Sequence, residues 1–124
     1  MSHSEFWNIL DNSEEIELTV KGRKSGKNIS RPVWFVHEDN IVYLLPVNGS
    51  DTEWYKNVLH NPSMKIAVNK KEFLGSGNPI IDENKVRQVA DRFRSKYSPE
   101  NIAWYYSQLD AVVKFSFFLS SVRK

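Results

Sequence analysis

EIELTVKGRKSGKNISRPVWFVHE, residues 15–38, is the stretch whose reading decides the fold. Its first seven residues alternate, with Ile16, Leu18 and Val20 on one side, which is the two-residue period of a half-buried strand. NISRPVWFVHE, residues 28–38, is rich in β-branched and aromatic residues and reads as a second strand. Pro32 cannot donate to a β-ladder, so this strand must be bulged there or lie at an edge. Glu38-Asp39-Asn40 is a turn composition leading into IVYLLPV, residues 41–47, so three antiparallel strands follow in succession.

Working outward, Ser4 to Leu10 reads as a short amphipathic helix or arm with Phe6, Trp7 and Leu10 as its apolar contacts. Ser50 with Glu53 is a capping-box pattern, and Trp54, Tyr55, Val58 and Leu59 form one apolar face. Asn61-Pro62 stops the segment, which predicts a helix over Asp51 to His60. MKIAVNK and KEFLGSGNPII read as two further strands, the second interrupted by Gly75 and Gly77 in a way that suggests a bulge or tight bend. From Asp82, the spacing of Val86, Val89, Ala90, Phe93 and Tyr97 predicts an amphipathic helix ended by Ser98-Pro99. Ser98 then caps a short helix, PENIAWYYSQL, with Pro99 in its first position. AVVKFSFFLSSV is the sixth strand. The chain is thus expected to be α+β, with a mostly antiparallel sheet whose edges are best protected by closing into a small barrel.

The 124 residues suit one domain spanning 1–124, and apolar and charged fractions of 40% and 26% are ordinary for a globular protein. A net charge of +2 gives no general case for nucleic acid. Its distribution is uneven: Leu18 to His37 holds no acid, while Lys21, Arg23, Lys24, Lys27 and Arg31 fall within it. That fits a local anion site. With no cysteine, disulfides and thiolate chemistry are excluded, and a reducing cytoplasm is compatible. Neither a signal peptide nor a membrane-spanning run is read, so a cytoplasmic protein without a membrane partner is expected. His3, His37 and His60 are scattered and show no metal-ligand spacing.

The turn GRKSGK, residues 22–27, lacks one residue of the P-loop spacing and precedes a strand, so it is not a P-loop. Gly22 and Gly26 permit positive φ, which would let backbone amides converge as an anion nest. Lys24 and Lys27 add point charges, and Arg23 or Arg31 a planar fork. A hydrated hairpin turn has the same composition. The Gly49-Ser50 turn at a helix start is a second place where free amides favour an anion or a polar ring edge, although plain capping gives the same sequence.

LTVKGRKSGKNISRPVWFV followed by YLLPVNGSDTEWYKNVLHNP resembles the deazaflavin (F420)-dependent nitroreductase family, within the FMN-binding split-barrel superfamily. The likeness spans residues 16 to 69. It carries GRKSGK with R-x-P, then G-S-x-x-x-W-Y-x-N-x-x-x-N-P. The resemblance implies a six-stranded split β-barrel with short flanking helices that binds F420, or alternatively FMN. It also implies hydride transfer to a small conjugated acceptor such as a quinone, nitro compound or enone. Carried over by position, Arg23, Lys24, Ser25, Gly26, Lys27, Arg31 and Pro32 would hold the acidic tail. Pro46, Val47, Asn48, Gly49, Ser50, Trp54 and Tyr55 would border the ring, and Tyr105 and Tyr106 the substrate. No catalytic side chain is demanded, because a reduced deazaflavin carries the hydride itself. Homodimers are common in the superfamily. A barrel that only carries a flavin, haem or lipid ligand is the non-enzymatic alternative.

Overall fold

The computed structural model describes residues 8–38 and 41–117. They form an α+β fold: β1 (Ile16–Lys21), β2 (Asn28–Val33), β3 (Phe35–Glu38), β4 (Ile41–Leu44), a 3-10 turn (Gly49–Asp51), α1 (Glu53–His60), β5 (Ser63–Val68), β6 (Lys71–Ile80), α2 (Glu83–Tyr97), α3 (Pro99–Tyr105) and β7 (Val112–Phe117). Residues 8–11 are also helical; the expected contacts Phe6 and Trp7 lie outside the described residues.

The sheet has seven strands in the order β2-β1-β5-β6-β7-β4-β3, every pair antiparallel. Six were expected. The difference lies in residues 28–38, which form two strands: β2 pairs with β1, β3 pairs with β4, and Trp34 belongs to neither ladder. β2 and β3 stand at opposite margins of the sheet although one residue separates them. Because consecutive Cα atoms are only about 3.8 Å apart, the two margins must meet at Trp34. The sheet is therefore curled almost into a barrel, split at that residue. Pro32 sits on the edge strand β2 opposite Glu17, in a register without a bulge, so its missing N–H disrupts nothing.

Two apolar clusters follow from the pleat. Ile16, Leu18 and Val20 of β1 and Met64, Ile66 and Val68 of β5 point into one cluster, inside the curl. β3, β4 and β7 are buried on both faces: Phe35, Val42, Leu44, Val113 and Phe115 join the interior, while Val36, Tyr43 and Val112 face a second cluster with Val89 and Phe93 of α2 and Ile102 of α3. That explains why β4 is a continuous apolar run and β1 alternates. Helix α1 closes the interior with Trp54, Tyr55 and Val58.

Two local expectations change. β6 pairs with β5 and β7 in unbroken register, without the bulge expected at Gly75 and Gly77. These glycines are places of close approach: a Cβ at Gly75 would overlap Ser116 O, and one at Gly77 the Met64 Sδ. The short helix after Ser98 ends at Tyr105, so residues 106–109 are not part of it. Its start is as expected, with Pro99 in the first turn and the Ser98 side chain accepting from Asn101 N at 3.2 Å.

Candidate functional site

The hairpin loop between β1 and β2 is closed by its own backbone. Gly22 N donates to Lys27 O at 2.8 Å and Gly26 N to Gly22 O at 2.9 Å. Gly26 has φ +73°, a left-handed conformation that favours glycine, whereas Gly22 has no positive φ and is fixed by crowding against Ser25 Oγ. Lys27 N donates to Ser25 Oγ at 3.1 Å, and Arg23 N to Asn57 Oδ1 at 3.1 Å. The nest expected of the whole turn is thus mostly consumed internally. Only the amides of Lys24 and Ser25 remain without an intramolecular acceptor among the described residues.

Arg23 is a tether. Its Nη1 donates to Asn57 Oδ1 at 2.8 Å, and its Nη2 pairs with Glu53 Oε1 at 2.9 Å. The hydrogen bond and charge of Arg23 hold the Glu53 carboxyl below its ordinary value. Asn57, on α1 and only 5% exposed, therefore clips the basic loop to the helix. This residue occurs in the W-Y-x-N motif, but its tethering role could not be read from spacing, because its partner lies 34 residues away.

A small pocket of about 280 Å³ is bounded by Lys24, Ser25, Arg31, Trp54 and Asn57, among others. Beside it opens a cleft of about 600 Å³ whose walls include Pro32, Trp34, Val47, Thr52, Tyr105 and Tyr106. Arg31, Glu53 and Trp54 line both, so the two form one groove running from the basic loop to an aromatic wall. Arg31 makes no ion pair or hydrogen bond with its side chain among the described residues. Its guanidinium stands uncompensated where the two compartments join. Lys27 and Gly26 lie outside both.

The aromatic wall is built around Trp34. One face is stacked on Tyr97, with centroids 4.3 Å apart and planes 4° from parallel. Tyr105 meets Trp34 edge-on at 5.5 Å and 78°, and Tyr106 is tilted at 6.1 Å. Tyr97 is itself pinned: its hydroxyl lies 2.7 Å from Glu14 O, 2.9 Å from Phe35 O and 3.1 Å from Phe35 N. Burial pushes the phenols of Tyr97 and Tyr106 well above their ordinary values, so both are neutral donors across the physiological range. Trp34 was not singled out from sequence. The signal was present as a tryptophan directly after the proline-containing edge segment.

The second expected anion site is already filled by the protein. Ser50 N donates to Asp110 Oδ1 at 2.9 Å and Ser50 Oγ to Asp110 Oδ2 at 2.7 Å. Ser50 does not cap α1; Thr52 occupies the N-cap, and its Oγ1 accepts from Asn48 N at 2.8 Å. Partial burial alone would raise the Asp110 carboxyl, but hydrogen bonds from Ser50 and Gln108 outweigh it and leave the group below its ordinary value. Gly49, at φ +56°, is enclosed so that a Cβ would overlap Asp110 Oδ1. Ser107 Oγ donates to Asn48 Oδ1 at 2.6 Å, tying the end of α3 to the same turn. Of the residues assigned to the ring, Val47, Asn48 and Trp54 line the cleft. Tyr55 is buried in the interior cluster, Pro46 is buried, and Gly49 and Ser50 lie outside the lining.

No group of His, Asp and Glu among the described residues could hold a metal ion, and no helix is long and apolar enough to cross a membrane. The curled sheet recurs in solved structures. It matches an F420-H2 dependent reductase with TM-score 0.66 at 21% identity, over 83% of this chain and 94% of that one. An FAD-binding protein from Mesorhizobium loti matches with TM-score 0.69 at 15% identity, over 95% and 91% of the two chains. A domain-swapped dimer matches with TM-score 0.67 at 19% identity, over 91% and 95%. At these identities the likeness is one of fold. By sequence, residues 8–112 match the family described as "Uncharacterized protein conserved in bacteria (DUF2255)", and the chain belongs to that family. Among curated proteins none matches it.

Proposed function

We propose that this protein is an oxidoreductase that binds a planar redox coenzyme with an acidic tail, F420 in the first instance and FMN as the alternative. The ring occupies the cleft between Trp54, Trp34 and Val47, and the phosphate lies against Arg31, Lys24 and the Lys24 and Ser25 amides. The single observation that carries the reading is Arg31: an uncompensated guanidinium at the junction of an aromatic cleft and a small basic pocket. A guanidinium matches phosphate oxygens in a planar fork, and a cleft of about 600 Å³ is in the range of ligand sites. Fold similarity to an F420-H2 dependent reductase and an FAD-binding protein supports the same class.

Such a coenzyme supplies hydride from its own ring, so the chain needs no nucleophile or general base. Its residues hold the phosphate, place the ring against the aromatic wall and exclude water. A small conjugated acceptor fits the Tyr105 and Tyr106 side of the cleft. A cytoplasmic protein paired as a homodimer accords with this role.

Titration of the purified protein with F420 and with FMN, followed by coenzyme fluorescence and calorimetry, tests the proposal. Saturable micromolar binding of one of them is expected. Arg31→Ala with Lys24→Ala should weaken it at least about tenfold, or about 1.4 kcal/mol, at unchanged thermal stability. Absence of binding to either, or equal affinity in the double variant, refutes the assignment.

A further inference from the structure

The larger cleft carries more charge than coenzyme binding uses. Four charged side chains line the larger cleft: Glu15, Arg31, Asp51 and Glu53. Glu53 is neutralised by Arg23 at 2.9 Å. Glu15 and Asp51 have no ion pair or side-chain hydrogen bond among the described residues. Two unpaired carboxylates thus share the cleft with one unpaired guanidinium. Once Arg31 is engaged by a phosphate, the cleft keeps both negative charges with no cation in its lining to balance them.

These carboxylates accompany an aromatic corner. Trp34 and Tyr105 meet at 78° with centroids 5.5 Å apart, and Tyr106 closes the side at 6.1 Å. Ring faces attract cations through their quadrupole, and the half-exposed ring of Tyr105 lines the cleft together with these acids. Acidic side chains near such faces act in the same sense. An anionic acceptor would instead be repelled from the carboxylates and gain nothing from the rings.

We infer that the cleft selects a flat, positively charged conjugated acceptor, of the iminium or N-alkylpyridinium class. This rests on the coenzyme reading above for its reaction, though not for its binding. In the reaction, a hydride from the reduced deazaflavin or flavin bonds to the carbon of the C=N⁺ group. The π pair becomes the nitrogen lone pair, and the second proton of the reduced coenzyme passes to water. The acceptor loses its charge in that step, and with it the attraction that held it, so the neutral product leaves more readily than the substrate.

The test uses three bicyclic probes of similar size, 1-methylquinolinium, quinoline and 1-naphthoate, at neutral pH. Binding is followed by calorimetry and by quenching of tryptophan fluorescence, with and without saturating F420 or FMN. The cation should bind at least about tenfold more tightly than the neutral probe and the anion weakest, with the preference shrinking as salt rises. Glu15→Gln combined with Asp51→Asn should erase the cation preference, while the anionic coenzyme should bind at least as tightly as before, because two negative charges have left the cleft. Equal binding of cation and neutral probe, or a preference that survives the double variant, overturns the inference. If the coenzyme binds and the preference is absent, this inference alone falls. If the preference is present and no coenzyme binds, the coenzyme reading falls and the cation site stands.

Discussion

Asn57→Ala tests whether the basic loop is held in place by α1. The buried Oδ1 accepts from Arg23 N at 3.1 Å and from Arg23 Nη1 at 2.8 Å, the second bond being charge-assisted. Net contributions of roughly 0.5–1.5 kcal/mol for the amide bond and 1.5–3 kcal/mol for the charged one bound the loss. Arg23 keeps its pairing with Glu53, and its side chain is already 23% exposed, so water relieves part of the cost. A destabilisation of about 2–3 kcal/mol is expected, which for a domain of this size lowers Tm by roughly 6–15 °C. The measurement is urea unfolding followed by tryptophan fluorescence, with a thermal melt alongside. Asn57→Asp preserves the accepting oxygen, supplies a charge for Arg23, and should stay near wild type. Coenzyme affinity should fall in the alanine variant and return in the aspartate one. An alanine variant that melts within about 2 °C of wild type would refute the tether.

Two glycines with the same backbone hand separate strain from crowding. Gly26→Ala meets open space at φ +73° and should cost only about 1 kcal/mol, whereas Gly49→Ala must also displace Asp110 and should cost at least about 3 kcal/mol in urea unfolding. Lys96 gives a pH signature. Its ammonium donates to Phe35 O at 3.0 Å and lies 3.5 Å from the Phe35 ring centre, and desolvation pushes its pKa down to about 8, against the opposing pull of Glu14 and Asp11. Below that value the folded state bears the cost of a charge the unfolded chain carries freely. Between pH 8 and about 10 the unfolded chain binds the extra proton, so this contribution to stability rises with pH. The Tm difference between wild type and Lys96→Met should shift in favour of wild type across that window, and a constant difference would exclude the effect.

What the sequence revealed was local, and what it hid was between distant residues. The alternation of Ile16, Leu18 and Val20 marked β1 because one face of that strand is buried, and Ser98-Pro99 marked a helix start because capping is completed within one turn. The split of residues 28–38 escaped notice because Val33, Trp34 and Phe35 are all strand-forming residues, and the change of partner strand leaves no local mark. Ser50 with Glu53 has the spacing of a capping box, yet Ser50 lies in the 3-10 turn, where its hydroxyl donates to Asp110, 60 residues on, and Thr52 takes the N-cap. Within the candidate site, clustered charge directed the sequence reading to the β1–β2 loop. Only coordinates separate tethered Arg23 from uncompensated Arg31, because Glu53 and Asn57 arrive from another element. Trp54 and Tyr55 were both carried over by position; both reach the interior cluster, and Trp54 also lines the cleft while Tyr55 does not.

The position of β7 bears on how the chain assembles during synthesis. It is the last of the seven strands to leave the ribosome, yet it lies between β6 and β4. Before it arrives, the polypeptide holds two unjoined ladders, β2-β1-β5-β6 and β4-β3, each with an open flank whose backbone groups seek a partner. Such flanks are adhesive. Nascent molecules stalled before Val112 should therefore depend most on chaperones, and the groove at Trp34 can mature only after residues 112–117 have locked the ladders together.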